Sequence, residues 1–382
     1  MKKVLIAAPY SSLPSDGYVN RFSHLALRFA ECGVDTTLAT SRFAHQGKRF
    51  HADAESEIAN LTIKLIDTRT YQSHIGLKRI LNLRDFRRNL VRELSPLDSY
   101  DLIYSAYPSI GHNLELARRL KGTETKLIVD VQDIWPEAFS SVIPAISKVP
   151  PQMIPFSRAA NRAYAAADGL VAVSETYLSR ARLANPDVPA LTAYIGSEFS
   201  QAPHTPNPHG PLKLCYIGTL SYSYDIETVM RAVDTLVSTG RKLEFNVYGN
   251  GPDYERLRAL PVRGTKFHGY IKYADLERVL RNQHIAVNAI RANAPQSVTN
   301  KLCDYLSLGC PVMSSQVGDE VEALLASRLN AHYIAGDAAS AVDAIRHLID
   351  SPDLLNTWQP DERFDREAIS RNIIEFARAV AG

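Results

Sequence analysis

Residues 297 to 312 read Ser-Val-Thr-Asn-Lys-Leu-Cys-Asp-Tyr-Leu-Ser-Leu-Gly-Cys-Pro-Val. Ser297, Thr299 and Asn300 are good helix N-caps, and Gly309 followed by Pro311 stops a helix. The pattern predicts a helix of about three turns from Asn300 to Leu308. Its first turn offers unpaired N–H groups and the positive end of the helix dipole, which suits a diphosphate. Lys301 would add charge there. The dipole alone disfavours a lysine at this end, so Lys301 calls for a neighbouring anion. Asp304, one turn further in, could accept hydrogen bonds from both hydroxyls of a ribose. A solvated helix start with an exposed lysine and aspartate explains the same residues equally well.

A second chemical signal is charge. Residues 76–94 carry six Lys/Arg against two acids, with Leu77, Ile80, Leu81, Leu83, Phe86, Leu90, Val91 and Leu94 between them. This is a basic amphipathic helix. It suits attraction to anionic lipid, at about 1 kcal/mol per basic residue near such a surface. It equally suits a helix packed on a sheet with a solvated basic face.

The elements that must position these residues alternate from end to end. Short apolar runs predict strands at 4–8, 36–39, 61–66, 102–104, 127–130 and 170–173, then at 212–217, 245–248, 266–268, 285–289 and 312–314. Near-continuous apolar runs mark strands buried on both faces, with helices between them. That is an α/β chain of parallel sheets. Residues 201–211 contain four prolines and a glycine and break the pattern. Each side of the break restarts with strand, turn and helix: 4–8 before a helix at 17–31, and 212–217 before one at 225–238. Two Rossmann-like domains are expected, 1–203 and 204–364. A last helix over 365–382, with Ala368, Ile369, Ile373, Phe376, Ala377 and Val380 at helical spacing, is expected to pack back onto the first domain. Ligands of such sheets sit beyond the carboxyl ends of the strands.

Composition excludes several classes. The chain has 382 residues, 45% hydrophobic and 22% charged, with net charge +2. That balance is globular, and bulk charge gives no reason to expect nucleic acid. The longest apolar runs are far short of the ~20 residues that span a bilayer. Met1 to Ala8 faintly imitates a signal peptide, but Pro9 stops it early, and a buried first strand is expected. Cys32, Cys215, Cys303 and Cys310 form no Cys-x-x-Cys pair and are expected as free, buried thiols in a cytoplasmic protein. There is no zinc-ligand spacing, no Gly-x-x-x-x-Gly-Lys-Ser/Thr loop and no Gly-x-Ser-x-Gly elbow. The first strand lacks the Gly-x-Gly-x-x-Gly of a nicotinamide dehydrogenase.

The pattern Asn300-Lys301-x-x-Asp304-Tyr305-Leu306-x-x-Gly309-x-Pro311-Val312 resembles the nucleotide-sugar motif of retaining GT-B glycosyltransferases of family four, in the branch that builds bacterial surface polysaccharides. That family carries two glutamates eight positions apart; Gln296 and Asp304 stand there in this sequence. The resemblance continues through Tyr216-Ile217-Gly218-Thr219-Leu220, Tyr248-Gly249-Asn250-Gly251-Pro252 and Phe267-His268-Gly269-Tyr270. It extends to Ser174-Glu175, to Gly196-Ser197-Glu198-Phe199 and to Asp130-Val131-Gln132-Asp133-Ile134-Trp135-Pro136-Glu137.

The resemblance implies a GT-B fold with two facing Rossmann-like domains, closing over a cleft. It implies a donor site of Asp304, Gln296, Ser297, Val298, Thr299, Asn300, Gly218, Thr219, Gly249, Gly251 and Tyr270. The family's usual basic pair on the diphosphate is missing, since Thr219-Leu220 and Tyr224-Asp225 stand in its place. Lys301 and Arg291 are the expected substitutes, offsetting the charge that grows on the departing diphosphate. Asp133 stands where many relatives carry a histidine, and is expected to face the transferred sugar or the acceptor; capping a following helix begun by Trp135-Pro136 is the other reading. Asp16, Gly17 and Trp135 are the expected acceptor side.

The donor would be a nucleotide sugar, UDP-linked, acting as substrate. No cofactor is expected and, without an Asp-x-Asp pair, no metal. The acceptor would be a lipid-linked saccharide of an O-antigen or capsule, met at the inner face of the cell membrane through 76–94. Gln296 and the missing basic pair leave a non-catalytic GT-B partner subunit as an alternative. A GT-B sugar-nucleotide 2-epimerase is a third, though its acid and histidine set cannot be assembled here.

Overall fold

Val4, Leu5, Ile6 and Ala7 have no exposed surface. A strand with apolar residues on both faces must lie inside a sheet covered by helices on both sides. The computed structural model describes residues 1–13, 16, 19–45, 48–51, 58–72, 76–138, 149, 153–199, 206, 209–292, 294, 297–326, 328–356 and 360–382. Most of the proline-rich 201–211 break lies outside them. The chain forms two units, one of Met1–Tyr194 with Glu367–Gly382, the other of Ile195–Arg366. The division precedes the 203/204 expected from proline content, because residues 195–199 are bonded within the second unit. There the Ser197 amide donates to the Phe364 carbonyl at 2.8 Å and the Arg366 amide to the Ser197 carbonyl at 3.1 Å.

The first unit runs β1 (Lys3–Ala7), α1 (Arg21–Glu31), β2 (Asp35–Ser41), β3 (Leu61–Ile66), α2 (Leu77–Leu94), β4 (Leu102–Tyr107) and α3 (Ile110–Leu120). It continues with β5 (Lys126–Val131), α4 (Ser157–Ala165), β6 (Gly169–Ala172), α5 (Glu175–Arg182) and β7 (Ala190–Thr192). The strand order is β3-β2-β1-β4-β5-β6-β7. Val4 sits opposite both Thr36 and Leu102, in parallel register on each side. Strand order reverses at β1 and β4, so the loops leaving their carboxyl ends diverge and open a crevice. The core includes Phe86, Leu90, Ile103, Tyr107, Leu116, Val129 and Tyr164. Asn20 caps α1 in a reciprocal box with Ser23.

Inside this unit Asp130 has no exposed surface. It accepts from Arg21 Nε at 2.8 Å, from the Tyr104 hydroxyl at 2.6 Å and from Gln132 Nε2 at 3.0 Å. Arg21 Nη1 donates onward to the Ala193 and Tyr194 carbonyls, each at 2.8 Å. A buried charge survives only when paired and fully hydrogen-bonded, and this hub ties α1, β4, β5 and the chain after β7 together.

The second unit runs β8 (Leu212–Ile217), α6 (Ile226–Ser238), β9 (Leu243–Tyr248), α7 (Tyr254–Arg258), β10 (Thr265–Gly269), α8 (Tyr273–Leu280) and β11 (Ile285–Asn288). It ends with α9 (Asn300–Leu308), β12 (Val312–Ser314), α10 (Asp319–Leu325), β13 (Asn330–His332) and α11 (Ala338–Ile349). Its order, β10-β9-β8-β11-β12-β13, again places a switch point, between β8 and β11. Both sheets are parallel throughout. After β9 the backbone crosses the loop after β8 so closely that a Cβ on Gly249 would lie 1.8 Å from the Gly218 carbonyl oxygen. Only glycine fits there, and its φ of 142° is open to glycine alone.

The last helix, α12 (Arg366–Ala381), belongs to the first unit from Glu367 onward. A Cβ added at Gly169 would stand 3.1–3.2 Å from Ile128, Val380 and Phe376, a tight fit of α12 on β6. His24 of α1 bonds to Ser370 through Nδ1 at 2.9 Å and to Glu367 through Nε2 at 3.1 Å.

Candidate functional site

In the second unit the loops after β8 and β11 converge on the start of α9. Thr299 caps that helix, accepting from the Leu302 amide at 3.3 Å, and Gly309 ends it in the left-handed conformation. Tyr305 fastens it to the sheet: its hydroxyl accepts from the Ile217 amide at 3.1 Å and donates to the Val287 carbonyl at 3.4 Å. The helix start is therefore fixed at the β8–β11 switch point.

Neither Lys301 nor Asp304 is a solvated surface residue; both are buried. Lys301 turns from the helix start towards the loop after β8. Its Nζ lies 3.5 Å from the centre of the Tyr224 ring and 5.0 Å from that of Tyr216. Its Cε stands against Gly218, 3.1 Å from where a Cβ would be. Aromatic faces hold this cation in place of the anion that its position calls for. Burial lowers its pKa to about 7, against a smaller opposing pull from Asp304.

The Asp304 carboxylate accepts from the Ser197 hydroxyl and, at 3.5 Å, from the Tyr273 hydroxyl, both on Oδ1. Burial raises its pKa to about 7, although Ser197, Arg366, Tyr273 and Lys301 each favour the ionised form. Arg366 is anchored by Glu198 at 2.7 Å and by the Gly196 carbonyl at 3.1 Å. Phe199 stacks on Tyr273 at 5.8 Å between ring centres. The stretch Gly196–Phe199 thus reaches Asp304, although about a hundred residues separate them in sequence.

Arg291 follows β11. Its amide donates to the Ser223 carbonyl at 3.0 Å, and its exposed side chain donates from Nε to the Tyr224 carbonyl at 3.4 Å. Tyr224 therefore carries Lys301 on its ring and Arg291 on its carbonyl. The turn of Gly249 and Gly251 lies against Gly218 and Leu220 of the loop after β8, and Ser297, Val298, Thr299 and Asn300 lead into α9. The Thr219 carbonyl accepts from the Tyr216 hydroxyl at 2.7 Å. The Ser297 hydroxyl is buried with no partner among the described residues. Tyr270 is 79% exposed at the end of β10. Gln296 lies outside the described residues.

In the first unit Asp133 closes its own turn. Oδ1 accepts from the Ile134 amide at 2.8 Å and Oδ2 from Trp135 Nε1 at 3.0 Å. Burial raises its pKa, moderated by these bonds and by Arg79. The Trp135–Pro136 bond is cis, the Ala138 amide donates to the Ile134 carbonyl at 2.9 Å, and residues 139–148, where a following helix would run, lie outside the described residues. Asp16 accepts from the Leu13 amide at 2.7 Å and lies 3.3 Å from His51 Nδ1. Gly17 lies outside the described residues.

Arg79 departs from the expected solvated basic face. Its guanidinium lies over the rings of Tyr10, at 5.4 Å, and Trp135, at 5.1 Å. Lys48 lies 4.3 Å over the ring of Tyr71, a residue the sequence patterns do not single out. Elsewhere on α2 the expectation of a basic face holds. Arg84, Arg87, Arg88 and Arg92 with Arg119 of α3 line a groove of ≈ 780 Å³ that contains one acid, Glu115. At the start of α2, Leu77 and Ile80 are exposed at 78% and 61%, so only Phe86, Leu90, Val91 and Leu94 serve the core.

Residues 211–351 match the family described as Glycosyl transferases group 1. Among solved structures, sucrose-phosphate synthase from Thermosynechococcus elongatus is similar with a TM-score of 0.69 at 14% identity, covering 100% of this chain and 99% of that one. The lipopolysaccharide outer core galactosyltransferase WaaB, in its apo form, gives 0.62 at 15% identity, over 99% of each chain. Anabaena HepE in complex with UDP and glucose gives 0.60 at 14% identity, over 99% of this chain and 100% of that one. The fold is GT-B. Glycogen synthases of two Mycobacterium tuberculosis strains, CDC 1551 / Oshkosh and ATCC 25618 / H37Rv, are 23% identical over 148 residues. That match covers 37% of this chain and 35% of each relative, so the chain spans about a third of these curated relatives. The region matched by the family model contains the whole β8–β11 switch point of the second unit. No helix among the described residues is long and apolar enough to cross a membrane.

Proposed function

We propose that the chain is a retaining glycosyltransferase that moves a hexose from a UDP-linked donor to a lipid-linked saccharide in O-antigen or capsule synthesis. The observation that carries this reading is Lys301. It is a buried lysine held by tyrosine faces at a parallel-sheet switch point, against the Gly218 turn. A diphosphate entering beside Nζ draws the lysine fully into its ammonium form and supplies the missing anion. Arg291, Ser297 and the start of α9 add donors to the same charge. Positive groups aimed at the departing diphosphate stabilise it as the glycosidic bond breaks, without a metal.

Asp304 keeps Oδ2 for the ribose hydroxyls while Ser197 and Tyr273 hold Oδ1. Asp133, fixed by Ile134 and Trp135, orients the acceptor hydroxyl or the transferred sugar. The complex of HepE with UDP and glucose supports the donor, and WaaB supports a lipopolysaccharide acceptor. The α2 groove and the exposed Leu77 and Ile80 support docking on an anionic membrane at its inner face.

Calorimetry on the purified chain tests the donor site. Asp304→Ala should weaken UDP binding by about 1.5–3 kcal/mol, the worth of a charge-assisted hydrogen bond. Unchanged affinity would remove Asp304 from the site. Transfer from UDP-hexose should also survive excess EDTA; loss with rescue by manganese would overturn the metal-free mechanism.

A further inference from the structure

A second cluster stands at the carboxyl ends of β1 and β2 in the first unit. After β2, Phe43 bridges to Phe50 in antiparallel fashion. This brings Lys48 over the Tyr71 ring at 4.3 Å. His45 lies against both Tyr71 and Tyr10, at 5.8 Å and 4.8 Å between ring centres. Tyr10 in turn lies under Arg79, whose other face is over Trp135. Two cations therefore share one aromatic cage that extends to Trp135, the indole bonded to Asp133.

The charges in this cage do not balance. Lys48 Nζ is buried and has no hydrogen-bond partner among the described residues. Burial lowers its pKa, and the nearby charge of Arg79 lowers it further. Asp133 is the acid that faces Arg79, and both its oxygens already accept bonds from its own turn. Asp16 is engaged by Leu13 and lies near His51 and Arg49. An ammonium beside a guanidinium is repelled, and among the described residues it lacks a counter-charge. An anion with several acceptor oxygens, bound between the two, reverses both penalties.

We propose that Lys48 and Arg79 bind a phosphate group carried by the acceptor, so that the first unit selects a phosphate-bearing substrate over a neutral sugar. The inference rests on the glycosyl-transfer reading, in which Asp133 and Trp135 face the acceptor. Tyr10 and Tyr71 fix the two cations at low conformational cost, and the phosphate then sets the distance between the acceptor hydroxyl and Asp133. The same chemistry is met by a soluble sugar phosphate or by the diphosphate of a lipid-linked saccharide.

Titration calorimetry on the full chain separates these cases, with glucose 6-phosphate, farnesyl diphosphate and glucose as probes. The wild type should bind at least one phosphorylated probe and bind glucose far more weakly. Lys48→Gln should weaken that binding about ten-fold or more, the equivalent of one charge-assisted contact. Lys48→Arg should retain most of it. UDP affinity should stay within about two-fold in both variants, which also shows that they are folded. A response to glucose 6-phosphate alone assigns a soluble acceptor, and one to farnesyl diphosphate alone a lipid-linked one. The proposal is overturned if Lys48→Gln binds the phosphorylated probes as the wild type does, or if the wild type binds neither. The donor reading is judged separately, by whether the wild type binds UDP at all.

Discussion

Asp304→Asn isolates the energetic consequence of burying a carboxylate under Ser197 and Tyr273. The amide oxygen can still accept from both hydroxyls, so the substitution changes charge more than shape. The native carboxyl has its pKa raised from 3.8 to about 7 by burial. An acid with a raised pKa destabilises the fold as pH climbs from the unfolded value to the folded one, because the unfolded chain ionises first. Three units at 1.36 kcal/mol each give a penalty of about 4 kcal/mol, complete above pH 7. At pH 5 only the first unit or so has accrued, about 1–2 kcal/mol. Asp304→Asn should therefore be more stable than the wild type, and its advantage should widen by about 2–3 kcal/mol between pH 5 and pH 8. Urea denaturation of both proteins at the two pH values measures this directly. An advantage that is constant with pH, or that shrinks as pH rises, would refute the argument that the carboxylate is held against its own desolvation. The variant should also lose UDP affinity, which would explain why an acid stands where it costs stability.

Breaking the hub in the first unit should act in the opposite direction. Asp130→Ala leaves Arg21 buried without its carboxylate and should cost about 3–5 kcal/mol, read as a fall in urea midpoint. Replacing Arg84, Arg87 and Arg88 together by Gln should release the protein from vesicles rich in acidic headgroups while changing stability by no more than about 0.5 kcal/mol per site. Salt should weaken wild-type binding in the same sedimentation assay, since exposed charges are screened over ~8 Å. If the triple variant pellets like the wild type, the α2 groove is only a solvated face.

Much of the scaffold is legible in sequence because buried parallel strands announce themselves. Leu61–Ile66, Leu212–Ile217 and Val312–Ser314 occur where their apolar runs predict them. Edge strands Ala190–Thr192 and Asn330–His332 escape notice, since three residues paired on one side need no apolar run. Cap and stop residues likewise mark Asn300–Leu308 to the residue. What periodicity cannot supply is side-chain direction. Lys301 reads as a charge at a helix start, but the tyrosines that receive it come from β8 and the loop beyond. The acceptor-side cage is harder still: Tyr10, Lys48, Tyr71, Arg79 and Trp135 lie on five separate stretches, and only the sheet order brings them together. Arg79 belongs by sequence to a basic amphipathic run, and by structure to an aromatic cage.

The return of α12 to the first unit has a consequence for synthesis on the ribosome. That unit is written in two instalments, with Ile195–Arg366 between them. At about 5–20 residues per second the intervening stretch takes on the order of 10–35 s to emerge. Throughout that interval the nascent first unit has its sheet but not its last helix. The surface around Gly169 that Phe376 and Val380 will cover is bare, and His24 lacks Ser370 and Glu367. The second unit, continuous in sequence, can close as soon as it is made. A chain that starts first thus finishes folding last, and its exposed apolar seam is where a chaperone would find it during translation.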